Sequence, residues 1–255
     1  MSDNNFDLDF DLHIHTFHSP CGRDEMLPEN IVRTAAERGL TTIGITDHLY
    51  SFTDHAMFDD IRARVENVCR SIKNPPLVFL GCEAEIMSPG CTTGSRELAE
   101  RLDYVMVAFT HFQNKGITEL PPTKDTEVLA RHYLASFEYA VSLPWAFTVA
   151  HPFLVIPEVC SPDILKLIRE PDLTPLLETA RENDIAMEIS ARALFPWQGS
   201  FSIGFYKLCK KIGLKFTIGS DAHSLDRLGD IQCLKPLLSE AGLSRQDFKL
   251  PKLNG

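Results

Sequence analysis

Seven apolar stretches recur along the chain, each short enough for one strand. They cover 8–15, 42–48, 77–83, 104–111, 146–151, 185–190 and 215–223. Six of them close on histidine or glutamate: His15, His48, Glu83, His111, His151 and His223. Near-continuous apolar runs of this length suit strands buried on both faces, as in a parallel sheet. Between them the apolar spacing turns helical. Pro28 opens one such stretch and Gly39 stops it. Ile61, Val65, Val68 and Ile72 mark a second, over 59–72. Further helices are expected over 95–102, 123–143, 161–169, 173–183, 203–212 and 224–241.

Strand then helix, repeated, implies parallel strands joined by right-handed crossovers. An open doubly wound sheet would gather ligands at one switch point, from two or three strand ends. Here polar chemistry closes almost every strand, and only a ring brings all those ends together. The expected fold is α/β: residues 1–255 as a single seven-stranded barrel domain with its site at the C-terminal strand ends.

Composition narrows the partners. No apolar run approaches the roughly 18 residues of a membrane span, and the acidic opening MSDNNFDLDFD lacks the layout of a secretory signal. Cytoplasmic residence is expected. The seven cysteines, at 21, 69, 82, 91, 160, 209 and 233, form no CxxC pair, which fits reduced thiols. A formal charge of −10 disfavours nucleic acid as the main partner. It does not disfavour a small anion if bound cations make the site locally positive.

The strand ends supply those cations' ligands. His13 and His15 stand two apart, so on a strand both imidazoles face the same side. Asp47-His48 and Asp221-Ala-His223 bring carboxylate and imidazole to two more strand ends, and His111 and His151 bring imidazoles. Glu83 offers two oxygens and can bridge two ions. Any one of these taken singly is more often an ordinary buried acid or histidine. Arriving in phase, they point to a polynuclear divalent-metal site. Asp47, Glu85 and Glu188 are read as orienting neighbours or as structural hydrogen-bonding groups. His55 and His132 fall outside the strand ends.

The ordered set His13-x-His15, Thr46-Asp47-His48, Gly81-x-Glu83, His111, Ala150-His151-Pro152 and Ser220-Asp221-Ala222-His223 resembles the PHP family of polymerase-associated domains and histidinol phosphatases, from about residue 8 to 225. The resemblance implies a distorted seven-stranded (β/α)7 TIM-like barrel and a trinuclear site. It implies a first ion on His13, His15, Glu83 and Asp221. Glu83 would bridge to a second on His111 and His151, and His48 with His223 would hold a third. Many relatives place another imidazole where this chain has Cys21; a thiolate there is a good zinc ligand. Two to three ions of zinc, manganese or iron are expected.

Such a cluster generates hydroxide at neutral pH and neutralises phosphoryl oxygens. The expected activity is metal-dependent hydrolysis of a small phosphomonoester, histidinol phosphate or a nucleotide-like metabolite. No GxSxG elbow or P-loop offers another route. Arg192, just past the sixth strand, is the first choice for gripping phosphate. Arg23 and Lys115 follow. Phe195 and Trp197 can line a pocket for the organic half, and the loops 112–124 and 191–202 are long enough to cover the mouth. Two alternatives stand: an amidohydrolase-type C–N hydrolase, and a non-catalytic metal-stabilised domain serving a protein partner.

Overall fold

Every expected run carries a strand, and the seven run parallel around one axis. They are β1 (Phe10–Ile14), β2 (Thr42–Leu49), β3 (Leu77–Ser88), then, past a two-residue β4 (Cys91–Thr92), β5 (Tyr104–Ala108), β6 (Thr148–Val149), β7 (Ala186–Ser190) and β8 (Phe216–Gly219). Neighbours follow chain order, β1-β2-β3-β5-β6-β7-β8, with β4 folded back antiparallel on the end of β3. The computed structural model describes residues 7–114, 117–118 and 120–253; Lys115 lies outside the described residues.

The barrel is nearly closed. Between β8 and β1 the ladder thins to one parallel bridge, Ile14 with Ala222, where His15 N donates to Ala222 O at 3.0 Å. Asp11 stitches the rest of this seam. Its buried carboxylate accepts from Ser220 N at 2.8 Å, Gly229 N at 2.9 Å and His13 N at 3.3 Å. Burial raises the Asp11 pKa, and these donors pull against that rise.

Among the described residues, seven helices α1 to α7 cover the outside: Pro28–Glu37, Ala56–Ser71, Arg96–Arg101, Thr126–Val141, Glu170–Glu182, Gly199–Ile212 and Lys235–Glu240. Gly39 follows α1 with φ +74°, the left-handed geometry its stop signal requires. No described helix is long and apolar enough to cross a membrane.

Three expectations need correction. The helix over 224–241 is broken into two 3-10 turns and α7. Gly229 turns left-handed at φ +69° to reach Asp11, and Pro236 in the first turn of α7 has no N–H for a preceding helix. The stretch 161–169 is only a 3-10 turn over Pro162–Lys166, because Pro171 begins α5 afresh. The loop 191–202 is largely ordered, as a 3-10 turn over Ala191–Leu194 and the first residues of α6.

Tyr104 spans from β5 to β1 below the site. Tyr104 is buried, and its hydroxyl donates across to Leu12 O at 2.7 Å. A Cβ on Gly44 would sit 1.9 Å from that hydroxyl, so the glycine is the space the ring needs. Thr148 and Thr217 hydrogen-bond beside it at 3.0 Å. Above this plug the inward positions of β1, β2 and β3 carry His13, His48, Glu83 and Glu85, since side chains on a strand alternate.

Candidate metal centre

Parallel register sets the first contacts. His48 of β2 lies directly opposite Glu83 of β3, and both are buried. His111 and His151 follow a few residues after β5 and β6. His151 takes φ +26° and Asp221 φ +54°, conformations unusual for residues other than glycine. Strain of this kind persists only where the surroundings over-determine it. The turn after His151 is held by Glu188, whose Oε2 accepts from His151 N at 2.7 Å. Gln198 holds its far side, donating to Phe153 O at 2.7 Å, and Trp197 Nε1 donates to Val155 O at 2.9 Å. Phe153 itself packs among Phe109, Phe137 and Phe205 at centroid separations of 4.8–5.5 Å.

The imidazoles are oriented one by one. His13 Nδ1 donates to Glu188 Oε1 at 2.7 Å, and His111 Nδ1 to Glu85 at 2.9 Å. His151 Nδ1 meets Thr110 Oγ1 at 3.1 Å, and His223 Nδ1 meets Asp221 O at 2.9 Å. His15 Nδ1 meets Ser19 Oγ at 3.1 Å, while that hydroxyl donates to Asp47 at 2.6 Å and so accepts from the ring. With Nδ1 held by these partners, the Nε2 atoms of His13, His15, His111 and His151 are left facing one another and Glu83.

These atoms converge. His13 Nε2 and His15 Nε2 are 3.0 Å apart. Glu83 Oε2 lies 3.4 Å from the first and 3.6 Å from the second, and Asp221 Oδ1 lies 3.7 Å and 3.4 Å from them. Donors about 2.0–2.2 Å from one tetrahedral ion stand about 3.3–3.6 Å from each other, so the separations of the two imidazoles from each carboxylate are those of zinc ligands, and His13, His15 and Asp221 form one group that could hold an ion. The other oxygen of Glu83 faces a second group: Oε1 is 2.9 Å from His151 Nε2 and 3.8 Å from His111 Nε2, which are 3.2 Å apart. His48 and His223 border a third position together with His15, and Cys21 lines the cleft with His48 and His223.

The residues fit divalent cations on a further count. Among the described residues, Glu83 Oε2 and His48 Nδ1 are buried without a hydrogen-bond partner, although they stand 3.0 Å from each other. An unsatisfied buried carboxylate oxygen is costly unless a cation meets it. Electrostatics agree. Burial alone would raise Glu83, yet His13, His111 and His48 hold it well below the usual carboxylate range. Burial alone would lower His13, yet Glu188, Glu83 and Asp221 hold it well above its ordinary value. Burial also pushes the Cys21 thiol up, but hydrogen bonds from His223 and His48, and their charge, bring it down to about 6. The buried cluster can hold metal.

A cleft of about 490 Å³ opens onto this cluster, bordered by Cys21, His48, His111, Arg192, Asp221 and His223. Arg192 Nε donates to Asp221 Oδ2 at 2.9 Å, which leaves its other nitrogens toward the cleft free of protein hydrogen bonds among the described residues. Arg23 is turned away: 66% exposed, it faces Asp226 at 4.0 Å and does not border the cleft. Phe195 lines the cleft, whereas Trp197 packs on it at 5.0 Å. His18 points to Asp60 at 3.4 Å, away from the centre.

Some of the groups that matter escape motif reading. Asp11, Ser19 and Thr110 act only through partners that the fold supplies. The signal available for Asp11 and Glu188 is an acid buried inside an apolar strand, FDLHI and AMEIS.

Comparison with known proteins places these features in a family. The PHP domain profile matches residues 11–192. A protein named Probable phosphatase from Caldicellulosiruptor saccharolyticus is 26% identical over 248 residues, covering 91% of this chain and 87% of its own. Histidinol phosphate phosphatase from Lactococcus lactis, solved with zinc, L-histidinol and phosphate, superposes with a TM-score of 0.65 at 17% identity, over 92% of this chain and 94% of that one. A chain of archaeal ribonuclease P, solved with mature tRNA, gives 0.55 at 15% identity over 93% and 84%. The two structures share the fold; the profile, spanning most of the sequence and every motif from His13 to His151, establishes that the chain belongs to the PHP-domain family.

Proposed function

We propose that the chain is a metal-dependent phosphomonoesterase acting on a small phosphorylated metabolite, with two to three zinc, manganese or iron ions. His13, His15, Glu83 and Asp221 would hold the first ion, and Glu83, His111 and His151 the second. His48, His223 and Cys21 would hold the third. Clustered divalent ions acidify a coordinated water to near neutrality and compensate charge on phosphoryl oxygens. The protein's part is to hold the cage and aim the substrate. Arg192, fixed through Nε by Asp221, offers its remaining nitrogens to a phosphoryl oxygen. The observation that carries the reading is the anchoring of five imidazoles at Nδ1, with the Nε2 atoms of four of them, His13, His15, His111 and His151, gathered about Glu83.

Histidinol phosphate and nucleotide-like monoesters are both candidates; the Lactococcus lactis neighbour was solved with L-histidinol and phosphate. An amidohydrolase reading is weaker, because a carboxylated lysine bridges metals in that class and the third strand here presents Glu83. The deciding experiment is elemental analysis and a phosphoester screen on one sample. Two to three ions per chain with phosphomonoester turnover are expected. A metal-replete protein inert to a broad panel would instead favour the non-catalytic alternative.

Cys21 yields a separate test. Cobalt(II)-loaded protein should show the intense near-ultraviolet thiolate-to-metal absorption that only sulfur ligation gives. Cys21→Ser should lose that absorption and about one ion per chain. An identical spectrum in the variant removes sulfur from the ligand set.

A further inference from the structure

From the hydrogen bonds at the ends of β1 and β2, we infer that Asp47 is a positioning residue. Acting through the Ser19 hydroxyl, it sets which nitrogen of His15 carries the proton, and so keeps Nε2 available to a cation. The inference rests on the reading of His15 as a ligand and deepens that part of the proposed function. Asp47 is buried and, as a carboxylate, only accepts. It takes three donors: Thr16 N at 2.8 Å and Ser19 Oγ at 2.6 Å on Oδ1, and Thr16 Oγ1 at 2.7 Å on Oδ2. The single proton of Ser19 is therefore committed. Its oxygen in turn accepts from His48 N at 3.1 Å and lies 3.1 Å from His15 Nδ1. A hydroxyl has one proton and two lone pairs, so Ser19 is saturated. It can meet His15 only if Nδ1 carries the hydrogen, and the neutral ring then has its lone pair on Nε2.

His13 and His111 need no such relay, because carboxylates meet their Nδ1 directly, Glu188 at 2.7 Å and Glu85 at 2.9 Å. His15 Nδ1 meets a hydroxyl, which on its own could present either a proton or a lone pair. Asp47 removes that choice. The hydroxyl is also held in place by its own turn, with Ser19 N donating to Thr16 O at 3.2 Å and Gly22 N to Ser19 O at 2.8 Å. A Cβ on Gly22 would sit 2.0 Å from Thr16 O, so the turn closes only around glycine. A carboxylate that merely stapled this turn would need its two bonds to Thr16 alone. The third bond, the shortest of the three, reaches toward the metal centre.

The place of the proton is read by nitrogen-15 NMR of the histidine rings in the metal-free full chain at about pH 9, where an ordinary histidine is neutral. The His15 signals are those missing from His15→Gln. Wild type should show Nδ1–H. In Asp47→Ala the Ser19 proton is freed to turn toward His15, and the ring should change to Nε2–H. Asp47→Asn should keep Nδ1–H, because an amide oxygen in the place of Oδ1 still accepts from Thr16 N and Ser19. Zinc-loaded Asp47→Ala should release one ion to a chelator about 10–100-fold more readily than wild type, with Asp47→Asn far less affected. Should Asp47→Ala fail to fold, Ser19→Ala takes its place: His15 Nδ1 loses its acceptor, and the same zinc loss and a loss of the Nδ1–H preference are expected. An Nε2–H ring in wild type overturns the inference. So does an Nδ1–H ring retained in the alanine variant, even with zinc lost, since Asp47 then serves the turn alone. Neither measurement uses a phosphoester, so a protein inert to every substrate but showing this ring pattern upholds the relay and defeats only the assigned reaction.

Discussion

Glu83→Gln should lower kcat/KM for any phosphomonoester substrate by on the order of a thousandfold or more, with loss of metal and retention of the fold. Glu83 turns its two oxygens toward two different pairs of imidazoles, Oε2 toward His13 and His15 and Oε1 toward His111 and His151. Glutamine keeps its volume and one oxygen but turns an N–H₂ toward the other group. A shared anion becomes a ligand for at most one ion. Losing one ion's charge compensation forfeits several kcal/mol of transition-state stabilisation, which is about a thousandfold or more in rate. In the metal-free protein the cost appears as stability. The buried imidazoles that hold Glu83 well below its ordinary range would lose their counter-charge, and breaking such a buried pair costs about 3–5 kcal/mol. Elemental analysis, steady-state kinetics and denaturant unfolding of metal-free protein read the three effects. Two to three ions per chain and near-normal turnover in the variant would falsify the bridging role.

The legible part of this site is the part that chain geometry repeats. Parallel strands in register send all their C-terminal ends to one side, so a polar residue closing each apolar run was already a statement about convergence. His13-x-His15 follows from strand alternation alone, while the pairing of His48 with Glu83 is set by a register that the structure supplies. The illegible part depends on contacts between distant segments. Glu188 reaches His13 across 175 positions, and Asp11 reaches Gly229 across 218. Neither spacing has a local signature. Arg23 shows the same dependence: its loop was expected at the mouth of the site, and its side chain here lies along Asp226 at the surface. The break within 224–241 has the same origin, since Gly229 turns left-handed to serve Asp11, a partner on the first strand.

Glu188→Gln is the second large effect, and its logic lies in the count of donors. Both partners of this buried carboxylate are donors: His13 Nδ1–H at 2.7 Å on Oε1 and the His151 backbone N–H at 2.7 Å on Oε2. A carboxylate satisfies both. Glutamine has one acceptor oxygen, so one donor must face its N–H₂. If that donor is His13, the ring must shift its proton to Nε2 and surrender the lone pair that faces His15 and Glu83. If it is His151, the turn held at φ +26° loses its tether, and Nε2 drifts from its place 2.9 Å from Glu83. Either outcome damages a metal position without touching a ligand atom. Anchors of this kind are worth about 10–100-fold in metal affinity, and a lost hydrogen bond to a buried charged group costs about 1.5–3 kcal/mol. Competition with a chelator should therefore show one ion released 10–100-fold more readily, with kcat recovering as metal is raised. Recovery separates this variant from Glu83→Gln, where excess metal cannot restore the bridge. Wild-type chelator resistance in Glu188→Gln would mean that His13 and His151 are held by packing alone.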